Sequence, residues 1–296
     1  MKLTAPLYYK DFQCIADRCR HSCCVGWEID VDEETEKKYT TLSGEYADTV
    51  RASIDREGTP HFRLLAGERC PHLDRCGLCK IITAYGDDAL CDICREHPRF
   101  YNETARGKEV GLGMSCEEAC RIILSSDDYD KWVTLGDVEE GDVSEFDAIP
   151  MRDAILAILK EDSPYKCRLK RIARKTHASL SIHTDGAWRG VLSSLEYLKE
   201  EHRALFSVYS SKKGEGEEHA PLLARALAYF VYRHASSARD EEEFRCAVGF
   251  SLLCERLLSS MIEAGGEPFE CARILSEEIE YSEENTEILK GEFLFY

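Results

Sequence analysis

Cys14-Ile15-Ala16-Asp17-Arg18-Cys19-Arg20-His21-Ser22-Cys23-Cys24 carries four thiols in eleven residues, spaced C-x4-C-x3-C-C. Spacings of this length set thiols on one side of a turn or helix, where several can converge on one inorganic centre. Adjacent Cys23 and Cys24 point in different directions, so the pair suits a single mononuclear ion poorly. Further along come Cys70, Cys76-x2-Cys79, Cys91-x2-Cys94 and Cys116-x3-Cys120. Eleven of the fifteen cysteines thus lie between Cys14 and Cys120. One centre needs four ligands, so this surplus means either spare core thiols or a second centre. Cys167, Cys246, Cys254 and Cys271 are scattered on apolar helical patterns and read as buried small hydrophobes.

The compartment decides how thiols are read. Met1 to Phe12 holds Lys2 but no apolar leader core and no cleavage site, and no apolar run reaches 18 residues. These features predict a cytoplasmic chain that does not span a membrane. In a reducing compartment a dense cysteine set points to metal rather than to disulfides. Two C-x2-C pairs match a zinc-ribbon rule, and four thiolates serve zinc and an iron–sulfur cluster alike. Cys19-x3-Cys23 runs directly into Cys24, and Cys120 is followed by no near cysteine. The C-x3-C-x2-C signature of radical S-adenosylmethionine chemistry is therefore absent.

The 296 residues are 44% hydrophobic and 32% charged, a globular composition. The formal charge of −18 repels phosphate backbones and argues against nucleic acid. It suits a basic partner such as a lysine-bearing protein segment, or simply solubility.

The expected fold is mainly α: an irregular cysteine-rich metal-binding domain followed by a helix bundle. Its expected boundaries are 1–125 for the cysteine-rich domain, 126–149 for an acidic linker and 150–296 for the helical domain. Val31 to Arg56 reads as one or two helices capped by Asp30 or Asp32. Ser115 is positioned to cap a helix from Cys116, with Glu117 and Glu118 in its first turn. Asp137 to Asp147 holds six acids among Gly and Ser, too little apolar material for a core. Pro150 and Pro221 open helices. The stripes Trp188-Val191-Leu192-Leu195-Leu198 and Cys246-Phe250-Leu253-Leu257-Met261 repeat at the helical period. Gly265-Gly266 ends the latter, and a last helix runs over roughly Glu270 to Lys290. No alternating strand pattern of any length stands out. The apolar tail Phe293-Leu294-Phe295-Tyr296 is expected to dock on the body or on a second copy.

Several motifs together resemble the flagellin lysine N-methylase (FliB) family. They are Phe12-Gln13-Cys14-Ile15, Cys23-Cys24-Val25-Gly26-Trp27, Cys70-Pro71-His72-Leu73, Gly77-Leu78-Cys79, Cys94-Arg95-Glu96-His97-Pro98-Arg99 and Met114-Ser115-Cys116-Glu117-Glu118-Ala119. Tyr229-Phe230-Val231-Tyr232-Arg233-His234 and Glu278-Ile279-Glu280-Tyr281-Ser282-Glu283-Glu284-Asn285 extend the match to the C-terminal half. The resemblance implies a protein lysine N-methyltransferase that uses S-adenosylmethionine and carries a 4Fe–4S cluster, with flagellin or another protein bearing surface lysines as substrate. It implies Cys14, Cys19, Cys23, Cys24, Cys70, Cys79, Cys94 and Cys116 as the metal-ligating set. Cys76, Cys91 and Cys120 fall outside that pattern, which raises iron–sulfur over zinc. The alternative is a non-catalytic iron–sulfur or zinc protein, either a redox sensor or a metal chaperone.

The remaining candidates each have two readings. Tyr229, Tyr232 and Arg233 share a helix face. They pack there with Arg233 paired to an acid, or Arg233 holds the donor's carboxylate. Trp27 either packs in the core or stacks on the cofactor. His234 lies on the apolar side and reads as a satisfied core histidine. The acids from Glu277 to Glu284 form a solvated face or a site that recruits an ammonium. Glu280, Tyr281 and Tyr232 are the candidate acid/base and positioning groups. Glu109-Val110-Gly111-Leu112-Gly113 lacks the strand–helix frame of a nucleotide loop, and reads as a turn that lets backbone pass close to the metal.

Overall fold

The computed structural model describes residues 1–139, 144–212 and 217–294. In chain order its strands and α-helices are β1 (Lys2–Pro6), α1 (Glu33–Thr41), α2 (Ala47–Ala52), β2 (Ile54–Asp55), β3 (His61–Phe62), α3 (Lys80–Tyr85), α4 (Asp92–Glu96), β4 (Arg99–Thr104), β5 (Gly107–Leu112), α5 (Glu117–Ser125), β6 (Trp132–Asp137), α6 (Ile149–Leu159), α7 (Tyr165–Thr176), α8 (Asp185–Ser194), α9 (Arg203–Phe206), α10 (Ala220–Ala235), α11 (Glu241–Glu263), α12 (Pro268–Leu275) and α13 (Glu283–Gly291). The chain forms two compact units. The larger comprises Met1–Phe12, Arg99–Ser115 and Ala119–Tyr296, and the smaller Gln13–Pro98 with Cys116–Glu118.

These units depart from the expected blocks 1–125, 126–149 and 150–296. The reason is a four-stranded sheet, ordered β4-β5-β1-β6, that the sequence pattern did not reveal. β4 and β5 form an antiparallel hairpin, β5 runs parallel to β1, and β1 pairs antiparallel with β6 with a register shift between Leu3 and Thr4. Three strands from inside the expected cysteine-rich block, β1, β4 and β5, therefore join the larger unit. β6 lies inside the expected linker, with Lys2 and Asp137 paired at its far end at 2.5 Å. Of the acidic stretch, residues 140–143, with Glu140 and Asp142, lie outside the described residues.

The larger unit is otherwise a helix assembly built on α10 and α11. Pro221 sits in the first turn of α10 and Pro150 in that of α6, where a missing N–H costs no helical bond. Asp240 caps α11 through the Glu243 amide at 2.8 Å. Leu223, Leu227, Phe230, Phe250, Leu253 and Leu257 are buried at this centre. Gly249 has a packing reason: a Cβ there would stand 2.4 Å from Phe293. Phe293 is thus docked on the body, while Phe295 and Tyr296 lie outside the described residues.

Three helical expectations need correction. α8 stops at Ser194, so Leu198 leaves the stripe and is exposed. The long last helix is broken into α12, a π-helical turn over Ser276–Glu280, and α13, with the Tyr281 amide bonded to the Ser276 carbonyl at 3.2 Å. Cys246, Cys254 and Cys271 are buried as expected, but Cys167 is exposed on the outer face of α7.

In the smaller unit Asp32 caps α1 through the Thr35 amide at 2.9 Å, and α2 follows, as the capping pattern predicts. Its core gathers Ile29, Val31, Tyr39, Val50, Ile54, Phe62 and Ile81. Among the described residues no helix is long and apolar enough to cross a membrane.

Candidate functional site

Chemistry-bearing residues concentrate in two places, one in each unit.

In the smaller unit, Cys70 and Cys91 belong to the apolar core, and Cys24, Cys79 and Cys94 pack against it. The segments are held by backbone. The Cys70 amide donates to the Cys24 carbonyl at 2.8 Å, and the Lys80 amide to the His72 carbonyl at 2.8 Å. His72 is buried and braces the turn after Cys70. Ser53 gives its proton to the Val50 carbonyl at 2.6 Å, so His72 Nε2–H donates to Ser53 Oγ at 2.9 Å and Nδ1 accepts from Tyr46 at 2.8 Å. Burial pushes the His72 pKa down to about 4, in keeping with that neutral ring.

Burial also pushes the Cys70 thiol up to about 12, against the pull of amides from His72 and Leu73. Cys79 is likewise raised by burial, with amides from Ile81 and Ile82 opposing. N–H donors aimed at sulfur tune thiolate centres. In the pair Cys23–Cys24 a shared hydrogen bond holds Cys24 down at about 7 and drives Cys23 up. Cys91 and Cys94 divide in the same way, with Cys91 lowered and Cys94 raised. Cys14 and Cys23 are exposed, and Cys19 and Cys116 are half-buried. Trp27 belongs to this unit and is half-buried. Cys76 is exposed, whereas Cys120 belongs to the larger unit and donates to the Phe269 carbonyl at 3.5 Å.

In the larger unit, Arg233, Glu280 and Tyr281 meet, with Tyr229 and His234 at the centre. Tyr229 hydroxyl accepts from the Met114 amide at 3.3 Å and from Arg233 Nη1 at 3.0 Å, and donates to Glu280 Oε2 at 3.0 Å. His234 Nε2 bonds the other carboxylate oxygen at 2.7 Å. Arg233 Nε stands 3.6 Å from that same oxygen, and Nη2 donates to the Glu280 carbonyl at 3.4 Å. The guanidinium is flanked by the rings of Phe100 and Tyr281, at 4.9 and 4.8 Å from their centroids. Burial alone would raise Glu280; Arg233 and His234 outweigh it and hold the carboxyl below its ordinary value.

The π-helical turn explains why these acids face inward. One extra residue per turn rotates the helix, so Glu277, Glu278 and Glu280 are all buried rather than forming a solvated face. Each has a partner. Glu278 accepts from the Leu198 amide at 2.6 Å and faces His202 at 2.6 Å, and Glu277 pairs with Lys199 at 3.1 Å and Arg273 at 3.0 Å. His202, Glu277 and Glu278 bring ligating atoms within 4.8 Å of one another, but Glu277 is already paired with Lys199 and Arg273 and Glu278 already accepts from two backbone amides.

Tyr232 does not reach this group. Its ring lies against Phe100 and Trp132, and its hydroxyl is buried without a hydrogen-bond partner. Ser115 does not act as a cap: its hydroxyl too is buried and unpartnered. Gly111 lies in strand β5 rather than in the expected turn, because residues 99–112 pair as a hairpin, and both glycines of 109–113 serve close packing within the larger unit. A Cβ on Gly111 would stand 2.3 Å from Phe100 and 2.7 Å from Tyr232, and one on Gly113 2.2 Å from the Tyr281 hydroxyl and 2.9 Å from Arg233. Glu109 is a structural anion, buried against Arg152. Tyr229 was visible as Arg233's i−4 neighbour, but its central role depends on Glu280, 51 residues away.

His234 gives this site a pH signature. Burial pushes its pKa down to about 4, and the bond to Glu280 only partly offsets that. An unfolded histidine titrates near 6.5 and so binds the proton first as pH falls. The stabilisation is complete above about pH 6.5 and disappears as the pH falls toward 4. Urea midpoints measured from pH 7 to 5 are expected to drop, and His234→Phe to flatten that drop; an unchanged slope in the variant would refute the assignment.

Two proteins called "Lysine-N-methylase", from Salmonella choleraesuis and Salmonella typhimurium, are each 28% identical to this chain over 134 residues, or 43% of it. The chain covers only 33% of the length of these two methylases. A "Flagellar biosynthetic protein FliU" of Salmonella muenchen is 27% identical over 133 residues, covering 43% of this chain and 79% of that protein. No family model and no solved structure matches. Over 43% of its length the chain is thus similar to proteins named for lysine N-methylation and flagellar biosynthesis.

Proposed function

We propose that this chain is an S-adenosylmethionine-dependent protein lysine N-methyltransferase that acts on a flagellin-type protein and carries a 4Fe–4S cluster in its smaller unit. The observation that carries the reading is the convergence of thiols from residues 24, 70, 79, 91 and 94 on one core, in a chain similar to lysine methylases. Four thiolates serve a cluster and a zinc ion alike, so the cluster is part of the proposal. When bound, the cluster would tie the cysteine segments together and supply a redox-active centre beside them.

Methyl transfer to lysine requires the neutral amine. With a pKa of about 10.4, deprotonation at pH 7 costs about 4.6 kcal/mol. Burial of the amine and a proton acceptor reduce that cost. Glu280 is held by Tyr229, His234 and Arg233, so its part is to position. Tyr281, half-buried with its ring on Arg233, is the group assigned to meet the substrate amine. Arg233, which also pairs with Glu280, is the assigned anchor for the donor's carboxylate.

The test uses protein purified without oxygen, radiolabelled S-adenosylmethionine and purified flagellin. Methyl-lysine should form, and Tyr281→Phe should slow it about 100-fold. Iron-loaded protein that neither binds the donor in calorimetry nor transfers a methyl group would overturn the reading in favour of a redox sensor or metal chaperone. Wild-type rates in Tyr281→Phe would remove that residue from the reaction.

A further inference from the structure

We propose that the outer face of α7 is a docking surface for an acidic helical segment of a partner protein. The inference is independent of the methylase reading.

The helix reads Tyr-Lys-Cys-Arg-Leu-Lys-Arg-Ile-Ala-Arg-Lys-Thr over Tyr165–Thr176. It holds six of the chain's 38 lysines and arginines and no acid, in a chain whose formal charge is −18. Tyr165, Ile172 and Thr176 are buried and fix its inner side. Lys166, Lys170, Arg171, Arg174 and Lys175 are all exposed. At helical spacing Lys166, Lys170 and Arg174 form one row, and Arg171 and Lys175 a second beside it.

These cations differ from others on the surface. Lys37 stands against Glu33 at 2.6 Å, Lys38 against Glu34 at 2.9 Å and Lys131 against Asp128 at 2.8 Å. On the exposed face of α7 only Arg171 has such a partner among the described residues, Glu161. The arrangement also works against the helix that carries it. Like charges at i and i+4 repel, and Lys166 stands in the first turn, where the helix dipole favours anions. Only Arg174 and Lys175, in the last turn, gain from the dipole. The helix is held instead by its buried side and by Glu217, which accepts from the Tyr165 amide at 3.1 Å. An opposing row of carboxylates would turn the repulsion along the face into attraction.

Charge and spacing select the occupant. Cations at i, i+4 and i+8 lie about 6 Å apart along the axis, the same step as carboxylates at i, i+4 and i+8 on a second helix. A membrane surface fits poorly, because the apolar side of α7 is committed to the body and has nothing to insert. A nucleic acid duplex fits poorly as well. It would extend past one helix of 12 residues onto a chain whose net charge repels phosphate.

The test uses the full chain and a fluorescein-labelled synthetic helical peptide with glutamates at i, i+4 and i+8, followed by anisotropy at low salt. Wild type should bind it, and Lys170→Gln/Arg174→Gln should bind about tenfold more weakly. Lys37→Gln/Lys38→Gln, with the same change in net charge, should match wild type. Added salt should weaken wild-type binding, since the charges are exposed. Far-UV circular dichroism checks that each variant is folded. A second readout needs no variant: in wild type, lysine acylation read by mass spectrometry should show Lys166, Lys170 and Lys175 protected by the peptide. Absence of binding, equal affinity of wild type and the α7 variant, or protection confined to other lysines overturns the proposal. A DNA duplex or a vesicle of anionic phospholipid that protects the same lysines at lower concentration than the peptide also overturns it, and assigns the face to that polyanion.

Discussion

Glu280→Gln is expected to destabilise the protein by about 3–5 kcal/mol, because it leaves the Arg233 charge in the interior without its carboxylate. Glu280 is fully buried, and Arg233 is close to it. The neutral amide keeps the shape and can still bond Tyr229 and His234, so the loss reports charge rather than packing. The double variant Arg233→Met/Glu280→Gln is expected to recover a substantial part of that loss, since it removes both charges together. Urea denaturation of the four proteins of this cycle checks the claim. A single-variant loss below about 1 kcal/mol would show that the pair does not hold the site together.

Arg152→Met should cost a similar amount, about 3–5 kcal/mol, for the opposite reason. Arg152 Nη1 contacts both oxygens of Glu109 at 2.9 and 2.7 Å and Ser236 at 3.0 Å, while the guanidinium lies over Trp132 at 4.1 Å. One side chain thereby joins β5, β6, α6 and α10. Without it Glu109 is a buried lone carboxylate. Burial already pushes that carboxyl above its ordinary value, and the loss of Arg152 pushes it further. A folded pKa raised above the unfolded one favours the native state at low pH and loses that benefit as pH rises. The variant should therefore be relatively worse at pH 8 than at pH 5. Thermal or urea midpoints at the two pH values provide the measurement, and Arg152→Met/Glu109→Gln should abolish the extra pH dependence.

Local signals are legible in this sequence. The Asp32 cap, Pro150 and Pro221 at helix starts, and the stripe of α11 all stand where the residues place them. Each depends on neighbours within one or two turns. The sheet was not legible, because its pairing is long-range and its alternation is masked. β5 reads Gly-Lys-Glu-Val-Gly-Leu, with Glu109 buried rather than exposed, and β1 pairs with β6 across some 130 residues. Glu109 looks polar and outward until Arg152, 43 residues on, neutralises it. The acids after Ser276 misled in the same way, since a π-helical turn chose their face.

Cysteine spacing and helical period are local properties, so the residues alone place thiols in the first 120 positions and helices through most of the rest. Which unit each strand joins, which tyrosine meets Arg233, and how the cysteines divide between core and surface emerge on folding. Those outcomes depend on burial and on charge pairs between residues far apart in the chain, and no local pattern encodes them.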